Sequence, residues 1–131
     1  RVRLDGERAW LTVKGARDGL ARPEFEYQIP FADGTIMLDQ ICADCVIEKL
    51  RYCVPHEELT WEVDVFQGAL SGLILAEIEL GYEAQSFGKP DWLGEEITGD
   101  PRFCQSALLR LGRAVDRSIT IADVIRPPAA A

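Results

Sequence analysis

Polar and apolar residues alternate along the central part of this chain, which is the pattern of β-strands. Glu62 and Asp64 fall on one face of a predicted strand, because successive side chains of a strand point to opposite sides of the sheet. Glu77 and Glu79 share a face of a second strand in the same way, and residues 68–72 supply the turn between them. Four carboxylates on adjoining strands repel one another. The pattern therefore predicts cationic groups between them, either basic side chains or a divalent metal ion.

The same alternation predicts further strands that each carry charges of one sign. Arg1 and Arg3 share one face, as do Lys49 and Arg51, and the strand EFEYQI presents acidic residues instead. A solvated sheet face, which is the competing interpretation, normally mixes both signs with small polar residues. The segregation of signs therefore favours a function over a solvated face. These further strands are predicted over residues 1–4, 9–14, 24–29 and 46–54.

Two helices are predicted around the strands. Residues 34–42, GTIMLDQIC, have an apolar side that suits a short amphipathic helix packed on the sheet. Asp100 is a favourable N-cap, and Pro101 suits the first position of a second helix, which ends at Gly112. The loop before this helix contains Glu96, where a short strand edge is an alternative.

Length and composition predict one globular domain. The 131 residues are 47% hydrophobic, which is enough to form a core, and no apolar run approaches the ~18 residues that a membrane span needs. The net charge of -8 argues against a general nucleic-acid or membrane-surface binder, although a local basic pocket can still hold a polyanion. We expect a cytoplasmic protein in which residues 1–112 form the domain and residues 113–131 form a weakly patterned C-terminal tail.

The cysteines and the histidine give weaker signals. Cys42 and Cys45 form the only C-x-x-C pair, and neither Cys53 nor Cys104 belongs to a second one, so a zinc site is the less favoured alternative. His56 lies in a turn-like segment without a nucleophile motif, so we interpret it as a solvated loop residue.

The segregation of positive and negative side chains is explained if the charged faces of the strands converge inside a closed barrel. The lumen would then have a cationic wall for phosphates and an anionic wall for Mg²⁺ or Mn²⁺. The apolar faces of the strands would point outward, under the helices or against a partner subunit, so a homodimer is an open alternative.

Seven motifs, in their order along the chain, resemble the CYTH superfamily of triphosphate tunnel metalloenzymes, especially its small bacterial members. They are RVR, LTVKG, EFEYQIP, EKLRY, WEVDVF, LAEIEL and PDWLGEEIT, and they extend to about residue 111. The resemblance implies a mainly β (α+β) fold, an antiparallel eight-stranded barrel with a few peripheral helices, whose tunnel binds a triphosphate and divalent cations. Members include inorganic triphosphatases, thiamine triphosphatases and class IV adenylate cyclases.

The resemblance also implies roles for individual residues. Lys14 would face the tunnel near the reacting water, and Glu62 would help to position that water. Metal ligands would be Asp64, Glu77 and Glu79, and supporting acids would be Glu24, Glu26 and Glu96. The side chains that grip the triphosphate would be Arg1, Arg3, Lys14, Lys49 and Arg51.

One departure from the family pattern concerns the opening strand. The E-x-E-x-K signature of the family does not precede Arg1, so we expect an upstream segment, with a degenerate member as the alternative. The favoured activity is metal-dependent hydrolysis of inorganic tripolyphosphate. A class IV-type adenylate cyclase, a thiamine triphosphatase and a non-catalytic phosphate- or nucleotide-binding module remain open alternatives.

Overall fold

The computed structural model describes residues 1–19 and 21–129, and it divides the chain into two compact units. Unit 1 is Arg1–Val46, and unit 2 is Ile47–Ala131. Each unit contains one three-stranded antiparallel sheet.

Unit 1 consists of a β-meander followed by a helix. Its strands are β1 (Val2–Asp5), β2 (Arg8–Lys14) and β3 (Glu24–Ile29), in the order β1-β2-β3, and its helix is α1 (Phe31–Gln40). The helix can approach the sheet because Gly34 is buried against it, where an added Cβ would lie 2.6 Å from the Cβ of Ala9. The helix predicted over residues 34–42 is therefore confirmed, although it begins and ends earlier.

Unit 2 begins with a second meander. Its strands are β4 (Glu48–His56), β5 (Leu59–Gln67) and β6 (Ile74–Ile78), in the order β4-β5-β6. A 3₁₀ turn at Gly68–Leu70 leads from β5 towards β6, in the predicted position. Both sheets leave apolar side chains exposed on one face, as the alternation predicts. Among them are Val13, Phe25, Tyr27, Leu50, Tyr52 and Ile74.

The helix predicted from Asp100 to Gly112 is in fact two separate pieces. Asp100 does cap a turn, because its side chain accepts a hydrogen bond from the Arg102 backbone N–H at 3.0 Å. That turn is a 3₁₀ piece of three residues, Pro101–Phe103, and the extended backbone of Cys104 (φ -69°, ψ 151°) separates it from helix α2, Gln105–Ala114. The prediction that one continuous helix ends at Gly112 is therefore wrong, since α2 continues to Ala114.

The C-terminal segment contributes to the core of unit 2. It contains helix α3 (Ile121–Ile125), which the weak sequence pattern of this segment does not predict. The core is formed by residues from β5, the 3₁₀ turn, α2 and the α3 region. They are Phe66, Leu70, Leu73, Leu108, Ile119 and Val124. At Gly112, α2 packs so closely that a Cβ would lie 2.5 Å from the Ala69 carbonyl oxygen.

The observed fold class is mainly β with a few helices. The described residues form six strands in two antiparallel sheets, and they do not show a closed eight-stranded barrel. Glu96 lies in an irregular segment, so the alternative of a strand edge at this position is wrong. Across residues 1–19 and 21–129, no helix is long and apolar enough to span a bilayer.

Candidate functional site

A buried carboxylate, that of Asp64, lies at the centre of the charged face of unit 2. Asp64 occupies the middle strand β5, and its side chain is only 6% exposed. Lys49 Nζ donates to Asp64 Oδ2 at 2.6 Å, and Arg51 donates from Nε to Oδ1 at 2.7 Å and from Nη2 to Oδ2 at 2.9 Å. The two cations predicted on one face of β4 therefore both hold one carboxylate of the neighbouring strand.

Arg51 also joins two further carboxylates to this cluster. Its Nη1 lies 2.8 Å from Glu62 Oε2, and its Nη2 lies 2.9 Å from Glu77 Oε1. The sheet register explains the convergence, because Arg51 is paired directly opposite Asp64, and Glu62 is paired directly opposite Glu77. We call these five residues the Arg51 cluster: Lys49, Arg51, Glu62, Asp64 and Glu77.

The electrostatics of the cluster favour the charged forms of Asp64 and Arg51. Burial acts to raise the pKa of the Asp64 carboxyl, but the hydrogen bonds from Arg51 and Lys49 outweigh it and leave this pKa below its ordinary value. The hydrogen bond to Asp64 is the main reason that the pKa of Arg51 is raised, and the charges of Glu62 and Glu77 add to it. The cluster is therefore an ion-pair network at neutral pH.

The carboxylates of this cluster are the type of ligand that suits a hard divalent cation. Their oxygens, however, are not arranged to bind one. Carboxylate oxygens are the ligands that Mg²⁺ and Mn²⁺ prefer. However, Glu62, Asp64 and Glu77 all point their oxygens at the Arg51 guanidinium. In the described part of the chain, no three His, Cys, Asp or Glu residues are placed to hold a metal ion together.

Two predicted acids lie apart from the cluster. Glu79 follows the last residue of β6 and is exposed, and Glu96 is exposed in the irregular segment after the sheet. Neither forms an ion pair with Lys49 or Arg51 in the ranges that the structure describes. Their assignments as a metal ligand and a supporting acid remain predictions.

Unit 1 carries a second charged face, which is more loosely connected. Arg3 Nη2 lies 3.5 Å from Glu26 Oε1, and the hydroxyl of buried Thr12 donates to Glu26 Oε2 at 3.3 Å. Arg3 Nε is buried and has no hydrogen-bond partner among the described residues. A buried donor without a hydrogen-bond partner is energetically costly.

The remaining predicted residues of unit 1 lie on or beside this face. Arg1 immediately precedes β1, and Lys14 ends β2 directly opposite Glu24. Thr12 was not among the predicted site residues, although strand alternation places it on the same face as Lys14. Its burial and its hydrogen bond to Glu26 are the features that sequence alone does not reveal.

The cysteines and His56, which gave the weaker sequence signals, do not belong to the Arg51 cluster. Cys42 and Cys45 lie at the ends of a turn in which the Cys45 N–H donates to the Cys42 carbonyl at 2.7 Å, and neither belongs to a metal-holding group among the described residues. His56 is half-buried and 4.0 Å from Glu57. Both line a cavity of about 330 Å³ at the β4–β5 turn, which contains no residue of the Arg51 cluster.

Comparison with known proteins gives concordant results. The family model of the CYTH domain matches residues 1–104. An inorganic triphosphatase of Acetivibrio thermocellus is 49% identical over 110 residues, which are 84% of this chain and 70% of that protein. An inorganic triphosphatase of Nitrosomonas europaea is 40% identical over 112 residues, 82% of this chain and 72% of that protein. A crystal structure of an inorganic triphosphatase superposes with a TM-score of 0.59 at 36% identity, covering 82% of this chain and 72% of the other.

Proposed function

The chain belongs to the CYTH domain family, and from this premise we propose that it hydrolyses a triphosphate, with inorganic tripolyphosphate as the favoured substrate. Two relatives with 49% and 40% identity carry the name inorganic triphosphatase, which supports this choice over the cyclase and thiamine triphosphatase alternatives. The observation that carries the proposal is the Arg51 cluster. It places two cations and three carboxylates on one face of one sheet.

This set of residue types suits phosphoryl transfer. The reaction depends mainly on positioning the phosphate chain and stabilising charge on its oxygens, and it needs no covalent nucleophile. The planar fork of Arg51 can bind two phosphate oxygens at once, and Lys49 supplies a compact charge beside it. We assign the same phosphate-binding role to Arg1, Arg3 and Lys14 in unit 1.

Water would attack the terminal phosphorus in line with the departing diphosphate, so that the products are phosphate and diphosphate. We propose that Glu62 orients this water by accepting a hydrogen bond from it, and that Lys14 stabilises the charge of phosphate oxygens. Glu24, Glu26 and Glu96 are proposed to position the basic side chains and the water. Thr12 joins this group because its hydroxyl already fixes the carboxylate of Glu26.

Asp64, Glu77 and Glu79 are the proposed ligands of Mg²⁺ or Mn²⁺. When bound, such an ion neutralises charge on phosphoryl oxygens and lowers the pKa of coordinated water. The eight-stranded tunnel and a homodimer also remain proposals. The domain limits 1–112 are proposed as well, with residues 113–131 as a C-terminal segment that contributes Ile119 and Val124 to the core of unit 2. We further propose a cytoplasmic location and a small-molecule substrate, with neither nucleic acid nor membrane as a partner.

A substrate panel tests the proposal. Phosphate release from tripolyphosphate, ATP and thiamine triphosphate is measured with Mg²⁺ or Mn²⁺, and nucleotide products are separated by chromatography. We expect tripolyphosphate to be hydrolysed fastest, giving diphosphate and phosphate. Cyclic AMP as the main product of ATP would identify a cyclase, and binding of tripolyphosphate without turnover would identify a binding module.

A further inference from the structure

The guanidinium of Arg51 occupies the position among the carboxylates where a bound cation would be expected. Three of its nitrogens contact three different acids, Glu62, Asp64 and Glu77, at distances between 2.7 and 2.9 Å. A divalent cation would need the same carboxylate lone pairs. A phosphate chain would need the same guanidinium N–H groups. The cation and the phosphate chain would therefore each have to displace an existing ion pair between Arg51 and the carboxylates.

We infer that Arg51 is a built-in substitute for the divalent cation, so that the cation and the triphosphate bind cooperatively. The inference rests on the proposed function and concerns how the same site is regulated. A triphosphate that draws Arg51 away leaves the carboxylates uncompensated, and this raises their affinity for a cation. A cation that takes the carboxylates releases Arg51 for phosphate, and linkage makes the two effects equal in free energy.

The carboxylates differ in how strongly they depend on Arg51. Asp64 keeps Lys49 as a partner at 2.6 Å when Arg51 leaves. Glu62 and Glu77 pair with Arg51, whereas Lys49 pairs with Asp64. These two acids are directly opposite each other on β5 and β6, where like charges repel. Departure of Arg51 therefore creates an anionic pair that a divalent cation would relieve.

The first test measures Mn²⁺ binding without any phosphate, by titration calorimetry in about 0.15 M salt, which screens distant charges. Arg51→Ala removes the internal competitor, so its Mn²⁺ affinity should exceed that of the wild type by about tenfold or more. Arg51→Lys should lie between the two. Arg113→Ala is the charge-matched control, because this exposed residue of α2 also carries one positive charge. If Arg51→Ala binds Mn²⁺ no more tightly than Arg113→Ala does, the inference is wrong.

The second test measures tripolyphosphate binding in excess EDTA. Glu77→Gln removes one acid that competes for Arg51, so it should bind tripolyphosphate several-fold more tightly than the wild type does, while its Mn²⁺ affinity falls. If Glu77→Gln binds tripolyphosphate no more tightly than the wild type does, Glu77 does not compete with tripolyphosphate for Arg51, and the inference is wrong. The highly exposed Glu77 side chain makes this variant informative even if Arg51→Ala does not fold.

The two tests separate this inference from the proposed function. If the wild type and both variants fail to bind or hydrolyse tripolyphosphate, the triphosphatase proposal fails. The Mn²⁺ titration of Arg51→Ala against Arg113→Ala still decides whether Arg51 takes the place of a cation. If tripolyphosphate is hydrolysed but Arg51→Ala leaves Mn²⁺ affinity unchanged, the function stands and the substitution of arginine for a cation is rejected.

Discussion

Replacing Asp64 with asparagine should destabilise unit 2 more than any other single charge removal in the Arg51 cluster. The carboxylate of Asp64 accepts three hydrogen bonds from charged donors, at 2.6, 2.7 and 2.9 Å. Asparagine has a similar shape but only one acceptor oxygen, and its NH₂ group would face donors instead of acceptors. Lys49 would lose its only carboxylate partner among the described residues, whereas Arg51 would keep Glu62 and Glu77.

The expected cost follows from the burial of the partners. Removing one side of a fully buried ion pair costs about 3–5 kcal/mol. Here the Asp64 side chain is 6% exposed, but those of Lys49 and Arg51 are 24% and 36% exposed and can regain water. We therefore expect a loss of about 2–3 kcal/mol at neutral pH. For a chain of this length, such a loss corresponds to a decrease in Tm of roughly 6–12 °C.

The pH dependence of this loss gives a second signature. Because the folded-state pKa of Asp64 lies below the ordinary value of 3.8, its contribution to stability is fully present above that value. The contribution disappears as pH falls through the lowered folded-state pKa. The difference in stability between wild type and Asp64→Asn should therefore stay constant from neutral pH to about pH 5 and shrink only in stronger acid.

Urea unfolding followed by tryptophan fluorescence measures this difference, since Trp61 is buried in unit 2. Glu77→Gln is the matched control. It removes one carboxylate from the same guanidinium, but the Glu77 side chain is 65% exposed, so its effect should stay within about 0.5 kcal/mol. If Asp64→Asn and Glu77→Gln are equally stable at neutral pH, the assignment of Asp64 as the centre of the network is refuted.

Three further predictions concern packing, phosphate binding and metal dependence. Gly112→Ala should lose about 1–3 kcal/mol in urea unfolding, because the new methyl group would meet the Ala69 carbonyl, whereas Gly94→Ala, with nothing within 4 Å, should be tolerated. Arg51→Ala should raise KM for tripolyphosphate, and Arg51→Lys should recover only part of the loss, since lysine lacks the planar fork; equal KM values in all three proteins would contradict this role. Excess EDTA should reduce phosphate release to background, and full turnover under these conditions would reject metal dependence.

The strands and their charged faces could be predicted from sequence because strand alternation is a local property. Residues two apart share a face whatever the rest of the chain does, so Lys49 and Arg51 had to lie together, as did Glu62 and Asp64. The pairing register is not local. That Arg51 lies opposite Asp64 depends on where β4 and β5 align, and only the structure provides this alignment.

The helical C-terminal region was harder to predict for a related reason. Helix α3 is five residues long, too short to establish a helical period in the sequence. Ile119 is fully buried although no periodic pattern surrounds it, because its position depends on packing against residues distant in the chain. The break at Cys104 is similar, since neither glycine nor proline marks that position.

The Arg51 cluster is better explained by function than by a need for stability. Replacing a buried ion pair by apolar residues of similar size is often neutral or stabilising, so the ion pairs of buried Asp64 are weak evidence that the fold requires them. Phe66 and Leu75 lie on the same face of the sheet, which shows that this face accommodates large apolar side chains. The acids also compete with any phosphate for Arg51, a disadvantage for a protein that only binds anions. A protein that must bind a cation and a polyanion at adjoining positions, and release both after turnover, needs both charge types.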